Sequence, residues 1–206
     1  MTTRLLLATR NKAKLLELQR ILDAALGDGT VALVSLADVP SYVEVPETGL
    51  TFEANALLKA REGVAHTGLP TVADDSGIAV DALNGMPGIF SARWSGGHGD
   101  DRANLNLLLA QISDVDDAHR GAAFVCSAVL VLPDGREFAV EGTMPGRVVR
   151  EPRGTGGFGY DPIFVADGET RTSGELTDAE KDAISHRGQA FRALAPLIAT
   201  HLSPRS

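Results

Sequence analysis

The chain has 206 residues, of which 44% are hydrophobic and 22% charged, and its formal net charge is -8. These values are ordinary for a soluble globular protein and suit one large domain or two small lobes. The negative charge argues against a broad basic face that grips nucleic acid or anionic membrane, so a bound anion would need a local cluster of cations.

Strands and helices alternate in the first half of the sequence. Apolar residues 5–8 predict a strand buried on both faces, and apolar side chains at helical spacing from Leu15 to Ala25 predict an amphipathic helix. A second strand is expected at residues 31–36 and a second helix at about 51–66. A third strand is expected at residues 71–73, where it ends at a pair of aspartates.

The second half of the sequence has a different character. Residues 85–101 are rich in Gly, Pro and small polar residues and predict a long functional loop, followed by a helix at about 101–112. Residues 121–149 contain two β-rich runs around a Pro-Asp-Gly turn, which is typical of a hairpin. Residues 150–165 are dense in glycine and lead into a short strand.

A closing helix is predicted from about Ser185 to His201, and Pro196 should kink or interrupt its last turns. The order of elements is βαβαβ, then a hairpin, then a helix. This order predicts an α/β fold with a mixed sheet, and two lobes with a cleft between them would suit it.

Cys126, the single cysteine, lies in the apolar run AAFVCSAVLVL and is expected to be a buried small hydrophobic residue rather than a catalytic thiol. No apolar run approaches the roughly 20 residues that span a bilayer. The N-terminal RLLLAT is too short, and too soon followed by charge, for a signal peptide. The sequence therefore predicts a cytoplasmic protein that binds neither membrane nor nucleic acid.

The segment ATRNKAK joins the first predicted strand to the first helix. Asn11 is a plausible N-cap, and Arg10, Lys12 and Lys14 bring positive charge to a helix start whose own N–H groups already favour anions. Phosphate binds readily at such a position, and a solvated basic turn is the alternative. The segment has neither G-x-x-x-x-G-K-[ST] nor G-x-G-x-x-G, so it supports no P-loop or Rossmann assignment.

The segment TVADDSGIAV places two like charges, Asp74 and Asp75, side by side. A divalent cation would make this pair favourable, because Mg²⁺ takes oxygen ligands and substrate phosphates together. Ser76 could position a phosphate, and Gly77 permits a tight turn. The alternative is a simple turn formed by the two aspartates ahead of the glycine.

Two later segments also contain candidate binding residues. In GTGGFGYDP the glycines stand beside Phe158 and Tyr160, which suits close approach to a flat ligand such as a nucleobase, although a bare glycine-rich loop is the alternative. In EKDAISHRGQAF, Lys181, His186 and Arg187 lie near the start of the closing helix and form a second cationic cluster at a helix N-terminus.

Six segments, taken in order, resemble the inosine triphosphate pyrophosphatase family, whose members hydrolyse non-standard purine nucleoside triphosphates. The segments are ATRNKAK, ETGLTFEANALLKA, ADDSGIAVDAL, PGIFSARWSG, GTGGFGYDPIF and EKDAISHRGQA. The resemblance implies one domain over residues 1–206, with an elongated mixed β-sheet and flanking helices in two lobes around a central cleft. It also implies a homodimer that, with Mg²⁺, hydrolyses ITP, dITP and XTP to the monophosphate and pyrophosphate, which keeps such bases out of DNA and RNA.

The resemblance further assigns roles to individual residues. Asp75 would be the general base, and Glu47 and Asp75 would hold the metal with Asp74 close by. Thr9 to Lys14 would bind the triphosphate, Phe158 to Asp161 would meet the base and sugar, and the cations of the closing segment would read the base edge. The complete substrate-binding set would be Thr9, Arg10, Asn11, Lys12, Ala13, Lys14, Lys59, Ser76, Phe158, Gly159, Tyr160, Asp161, Lys181, His186 and Arg187.

One departure from the family pattern concerns the second helix. Ala54 stands where the family usually has Glu, and this removes the N3 carboxylate of a capping box begun by Thr51.

The reaction that the resemblance implies is attack of water at the α-phosphorus. A transferase or phosphatase that cuts at the γ-phosphorus, and a nucleotide sensor without turnover, are the alternatives.

Overall fold

The structure, a computed structural model, describes residues 3–10, 12–27, 29–43, 45–97 and 99–202. Six strands within these residues form one sheet in the order β2-β1-β3-β4-β5-β6. The strands are β1 (Thr3–Leu7), β2 (Val31–Ser35), β3 (Thr71–Val80), β4 (Gly121–Val131), β5 (Glu137–Val148) and β6 (Phe164–Ala166). The α-helices are α1 (Lys12–Leu26), α2 (Phe52–Thr67), α3 (Asp101–Gln111), α4 (Asp178–Ile184) and α5 (His186–Leu202).

The sheet is mixed, which confirms the predicted α/β fold. Strand β1 pairs in parallel with β2, where Leu5 lies opposite Leu33, and in parallel with β3, where Leu6 lies opposite Thr71. Parallel neighbours need a crossover connection, and α1 and α2 lie in these connections. Strands β5 and β6 are antiparallel, with Arg147 opposite Val165.

The prediction that the third strand ends at residue 73 is wrong. Strand β3 continues through both aspartates to Val80. The sequence suggested a turn because Asp, Ser and Gly are common turn residues. Asp74 and Asp75 remain in the strand because each carboxylate has polar partners on its own face of the sheet, as described below.

The end of the chain also differs from the prediction. Lys181 lies in a separate short helix, α4, which begins with a capping box between Thr177 and Glu180 and ends before α5. Helix α5 then runs from residue 186 to residue 202 with Pro196 inside it, so the proline does not interrupt the helix. The proline removes one backbone N–H donor, and the hydroxyl of Thr200 donates to the Pro196 carbonyl at 2.8 Å.

The chain divides into two compact units. The first contains residues 1–75, 126–142 and 187–206, and the second contains residues 76–125 and 143–186. Neither unit is continuous in sequence, and β3, β4 and β5 each contribute residues to both. Within the described ranges, no helix is long and apolar enough to cross a lipid bilayer.

The first unit has a hydrophobic cluster on each face of its part of the sheet. In one cluster Leu7, Val72 and Leu130 pack with residues of α1 and α5 such as Leu18 and Phe191. In the other, Ala73, Val129 and Val131 pack against Ala56 and Ala60 of α2. Val72 and Ala73 therefore point to opposite faces, as successive residues of a strand do. Cys126 is fully buried in the first cluster, which confirms its predicted structural role.

The second unit has its own core, formed by β3 to β6 residues of this unit together with α3. Phe164 is fully buried there and meets Phe124 edge-to-face, with 4.6 Å between the ring centroids. Leu108 of α3 and Ile78 of β3 belong to the same cluster. Gly77 is required where β3 passes the 3₁₀ helix Gly88–Arg93, because a Cβ at this position would overlap the Ser91 hydroxyl and the Gly88 carbonyl.

Candidate active site

The two adjacent aspartates of β3 occupy different environments. Since side chains alternate along a strand, Asp74 shares the face of Val72, which α1 and α5 cover, and Asp75 shares the face of Ala73, which α2 covers. The hydrogen bonds of the two carboxylates agree with this assignment. The repulsion that the sequence suggested is therefore reduced, because each carboxylate has its own partners.

Asp74 is held by cations from the starts of two helices. Lys14, in the first turn of α1, donates to both carboxylate oxygens, at 3.0 Å to Oδ1 and 2.8 Å to Oδ2. Arg187, in the first turn of α5, donates through Nε to Oδ2 at 3.2 Å. The Sγ of Cys126 lies 4.0 Å from the same oxygen. The carboxylate is almost inaccessible, with 1% of the side chain exposed.

These cations determine the charge state of Asp74. Burial alone would raise the pKa of this carboxyl. The charges of Lys14 and Arg187, with a smaller contribution from Lys59, outweigh burial and hold the pKa well below its ordinary value. A cation in the first turn of a helix is unfavourable by itself, and pairing with Asp74 explains how α1 and α5 both accommodate one.

Asp75 belongs to a second polar cluster, on the α2 face. Lys59 donates to Oδ1 of Asp75 at 3.2 Å and to Oε1 of Glu47 at 3.1 Å, so its ammonium group bridges the two carboxylates. Asn55, one helical turn before Lys59, donates through Nδ2 to Oδ2 of Asp75 at 3.2 Å. Asn55 is fully buried. The cluster joins the segment that precedes α2, the helix itself and β3.

The pKa values of Asp75 and Lys59 both lie above their ordinary values. Burial raises the pKa of Asp75, the Lys59 ammonium lowers it and the Glu47 carboxylate raises it, and the net pKa lies above its ordinary value. Burial lowers the pKa of Lys59. The surrounding carboxylates, led by Asp75, raise it by more than burial lowers it, so the ammonium stays charged. Asp75 is therefore a shielded carboxylate with increased proton affinity, as a general base requires.

The donor set of Glu47 and Asp75 fits a magnesium ion. Both groups are hard oxygen donors, and both already converge on one positive charge, the Lys59 ammonium. Over the part of the chain that the structure describes, no group of three or more His, Cys, Asp or Glu residues forms a metal cluster. Ligation by Asp74 stays a prediction. Its oxygens accept from Lys14 and Arg187, and the Asp75 oxygens likewise accept from Lys59 and Asn55.

A small cavity lies beside Glu47 and Lys59. It has a volume of about 60 Å³ and is lined by Ala8, Leu36, Tyr42, Val45, Glu47, Lys59 and Glu62. The ring of Tyr42 stacks on His66 of α2, with 4.4 Å between the centroids and 9° between the planes. The backbone N–H of Gly49 donates to Oδ1 of Asn55 at 2.8 Å. These two contacts attach the segment that carries Glu47 to helix α2.

The remaining residues predicted to bind the triphosphate surround the start of α1. The carbonyl of Thr9 accepts from the Leu36 N–H at 3.4 Å, and Arg10 and Lys12 are exposed. Asn11 and the side chain of Ala13 lie outside the described part of the structure. Of this set, the structure brings Lys14 together with the predicted acidic residues.

In the second unit, the loop that contains Phe158 is fixed by a buried carboxylate. Asp161 accepts from the Phe158 N–H at 2.8 Å and from the Lys181 ammonium at 2.5 Å. The ammonium of Lys181 also lies 5.1 Å from the centroid of the Phe158 ring. Gly157 has a φ of +71°, and a Cβ there would overlap the Asp161 carboxylate. The backbone of Phe158 is therefore fixed by Asp161, while Phe158 itself is 48% exposed.

The other residues predicted to bind the substrate differ in how deeply they are buried. Tyr160 is buried, its hydroxyl donates to the Ser91 carbonyl at 2.8 Å, and burial raises its pKa above the ordinary value. His186 is also buried and stacks on Phe124 with 4.9 Å between the centroids. Ser76 follows Asp75 on β3 and is half-buried. Of the two aromatic residues in the glycine-rich segment, only Phe158 is exposed, so it is the one available to a flat ligand.

A larger pocket lies in the second unit beside this loop. Its volume is about 360 Å³, and it is lined by Asp101, Arg102, Leu105, Asn106, Pro152, Gly154, Thr155, Gly156, Gly157, Phe158, Gly159 and Pro162. Asp101, at the start of α3, accepts from the Gly159 N–H at 2.9 Å. The sequence analysis did not predict this contact, since nothing in the local pattern links the two segments.

Asn55 is the main site residue that the sequence analysis missed. A signal was available, because Asn55 and Lys59 are four residues apart and so lie on the same side of a helix. Buried asparagine is also uncommon inside helices unless its amide has specific partners. In the segment TFEANA, Asn55, which contacts Asp75, therefore stands next to Ala54.

Comparison with known proteins identifies the family. A sequence model of the Ham1 family matches residues 5–197. The chain belongs to the Ham1 family. Two relatives of this Ham1 family chain, from Mycobacteroides abscessus and Nocardia farcinica, are named dITP/XTP pyrophosphatase, and each is 62% identical to it, over 195 and 196 residues respectively. Each alignment covers 95% of the chain, and they cover 94% and 95% of the relatives.

Solved structures of Ham1 proteins have the same fold. A HAM1 protein from Coxiella burnetii aligns with a TM-score of 0.86 at 38% identity, and the alignment covers 97% of this chain and 100% of that one. The resemblance indicated by the six sequence segments is therefore confirmed, and so is the mixed sheet with flanking helices.

Proposed function

We propose that this Ham1 family chain hydrolyses non-standard purine nucleoside triphosphates, namely ITP, dITP and XTP, to the monophosphate and pyrophosphate. The names of its relatives at 62% identity support the reaction. The observation in the structure that carries the proposal is the bridge from Glu47 through Lys59 to Asp75, because it combines a shielded base with convergent oxygen donors. In a cell this activity would remove such nucleotides before they enter DNA and RNA.

The hydrolytic step follows from the chemistry of Asp75. A water molecule attacks the α-phosphorus, Asp75 accepts its proton, and the bond from the α-phosphorus to the bridging oxygen breaks. Pyrophosphate leaves with the electron pair of that bond. Asp75 suits this role because it is shielded and because Asn55 and Lys59 each donate to one of its oxygens, which fixes the orientation of the carboxylate. No covalent intermediate is needed, so catalysis depends on positioning and electrostatics.

Magnesium dependence is part of the proposal. Glu47 and Asp75 would hold the ion, which would supply charge neutralisation for the phosphate oxygens and the leaving pyrophosphate. Lys59 keeps the two carboxylates at one place before the substrate arrives, since it contacts both. Lys14 and the neighbouring residues Thr9 to Ala13 would contribute further contacts to the triphosphate.

Base recognition is assigned to residues of the glycine-rich loop and the closing segment. Phe158 would stack on the purine, because it is exposed and its backbone is fixed by Asp161. Gly159, Tyr160 and Asp161 would shape the surroundings of the base and sugar. Lys181, His186 and Arg187 would provide donors for the 6-oxo group that inosine and xanthosine share.

The test of the function is a product assay on a panel of nucleotides. Purified protein is incubated with ITP, XTP, GTP and ATP, with Mg²⁺ or with EDTA, and pyrophosphate and orthophosphate are measured separately. We expect pyrophosphate from ITP and XTP only when Mg²⁺ is present. Release of orthophosphate instead would show cleavage at the γ-phosphorus and reject the proposed reaction, and absence of any turnover would favour a nucleotide sensor.

A cytoplasmic homodimer is part of the same proposal and is supported by the family resemblance alone. Light scattering coupled to size-exclusion chromatography should give twice the mass of the 21.6 kDa chain. A monomeric mass at micromolar concentration would reject the dimer without affecting the proposed reaction.

A further inference from the structure

Asn55 connects two parts of the candidate active site through the two ends of its amide. Its Oδ1 accepts from the backbone N–H of Gly49 at 2.8 Å, and its Nδ2 donates to Oδ2 of Asp75 at 3.2 Å. Gly49 lies two residues after Glu47. One fully buried side chain therefore joins the segment of one proposed metal ligand to the carboxylate of the other.

The chemistry of the partners fixes the orientation of this amide. The Gly49 N–H is a donor and accepts nothing, so the oxygen of Asn55 must face it. The NH₂ group must then face Asp75, whose carboxylate accepts hydrogen bonds. The reverse orientation would lose both hydrogen bonds and leave buried polar groups unsatisfied.

The backbone of residue 49 also lies very close to Asn55. A Cβ on Gly49 would come within 2.7 Å of Oδ1 of Asn55 and of the Ala54 Cβ. Only glycine allows this approach, so the contact between the segment and the helix is a built feature rather than a chance meeting of two polar groups.

We propose that Asn55 is a positioning residue that sets the distance between the carboxylates of Glu47 and Asp75. Lys59 supplies the attraction that draws both groups together, but an ammonium group has little directional preference. The planar amide of Asn55 supplies the direction, because one end fixes the backbone near Glu47 and the other end fixes the rotation of Asp75. The consequence for catalysis rests on the proposed function, whereas the structural role does not.

Two substitutions separate the two ends of the amide. Asn55→Asp keeps an oxygen for the Gly49 N–H, removes the donor to Asp75 and places like charges together. Asn55→Ala removes both contacts. Asn104 provides a matched control, since it is also buried in a helix and accepts a backbone N–H, from Ser95 at 2.7 Å, while its Nδ2 has no partner within the described residues.

Kinetics on ITP form the first readout. A misplacement of about 1 Å can reduce turnover roughly 10²-fold, so we expect a loss of this order in kcat for Asn55→Asp and Asn55→Ala, with KM changed by less than about threefold. Asn104→Asp and Asn104→Ala should keep wild-type kcat. Equal kcat in Asn55→Asp and Asn104→Asp would overturn the positioning role.

Hydrogen exchange of the ligand-free protein forms the second readout and needs no activity. Exchange of the peptide that contains Gly49 should stay slow in Asn55→Asp and become fast in Asn55→Ala. The Asn104 variants should leave that peptide unchanged. Slow exchange in Asn55→Ala would overturn the proposed anchor, and this result is independent of whether the wild type releases pyrophosphate.

An exchanged pair keeps the proposal testable if Asn55→Asp folds poorly. Combining it with Asp75→Asn reverses donor and acceptor, so the hydrogen bond can re-form with the opposite polarity and the repulsion disappears. The double variant should have a higher Tm than Asn55→Asp alone, although it has no catalytic base. A Tm equal to or below that of the single variant would show that the two side chains do not interact, and would overturn the proposal.

Discussion

Replacing Asp74 with Asn should strongly destabilise the first unit. The carboxylate is 1% exposed and neutralises two cations that are themselves largely buried, Lys14 at 18% and Arg187 at 5% exposure. Asp74→Asn keeps the shape of the side chain but leaves two positive charges facing one neutral amide. The amide nitrogen is also a donor, so at least one of the existing hydrogen bonds cannot be kept.

The size of the effect follows from the burial of the pair. Removing one partner of a buried ion pair costs about 3–5 kcal/mol. For a chain of this length each kcal/mol changes Tm by about 2–4 °C, so the expected decrease is roughly 6–20 °C. A total stability of about 5–15 kcal/mol still allows a folded variant to be isolated.

Calorimetry and urea titration can measure this decrease against a matched surface pair. Glu137 accepts two hydrogen bonds from Arg61, at 2.7 and 2.8 Å, but the two side chains are 32% and 52% exposed. Glu137→Gln should therefore cost only about 0–1 kcal/mol. If Asp74→Asn proves no more harmful than Glu137→Gln, the cations near Asp74 are solvated and the reasoning is wrong.

The pairing of Asp74 with Lys14 and Arg187 also predicts that the stability of the fold depends on pH. The pKa of Asp74 is lower in the folded chain than in the unfolded chain, so its contribution is complete above the unfolded value of about 3.9 and disappears as pH falls through the folded value. The stability difference between wild type and Asp74→Asn should be constant from neutral pH to about pH 5 and decrease below about pH 4. A difference that decreases between pH 8 and pH 6 would point to another group.

Three further predictions concern the proposed enzyme. Asp75→Asn should reduce pyrophosphate release below about 1% of wild type while ITP binding, measured by calorimetry with the inactive variant, persists, since general base catalysis is worth about 10²–10⁴-fold. ITP should exceed ATP in kcat/KM by a factor that can approach ~10⁴ if buried donors face the 6-position; equal values would reject donor recognition of the 6-oxo group. Ala54→Glu should complete the capping box that Thr51 begins with its 3.1 Å bond to the Ala54 N–H, which would raise the free energy of unfolding by about 0.5–1 kcal/mol and so raise Tm; an unchanged Tm would contradict it.

Much of the first unit could be predicted from local sequence. Apolar runs and helical spacing predicted β1, α1, β2 and α2 to within a few residues. The prediction failed at β3, because the strand contains Asp, Ser and Gly residues that are typical of turns. The partners that keep Asp74 in the sheet lie 60 and 113 residues away in the sequence, and no local pattern contains that information.

The candidate site was predicted in part for the same reason. The acidic residues and lysines could be selected from their types and their segments, but their pairing could not. Lys14 was expected to bind phosphate and Arg187 to read the base edge, whereas the structure shows that both cations share the Asp74 carboxylate. Asn55 was missed because an amide has no charge, and its importance depends on the backbone of Gly49 and the carboxylate of Asp75 being brought to its two ends.

The discontinuous first unit sets the order in which the site can form during synthesis. Lys14 and Asp74 leave the ribosome before Arg187, which follows 113 residues after Asp74. At translation rates of about 5–20 residues per second, roughly 6–23 s pass between them. Until then the sheet face that Phe191 covers is also open. A chain that terminates before α5 therefore lacks one of the two cations that contact Asp74 and leaves this apolar face of the sheet uncovered.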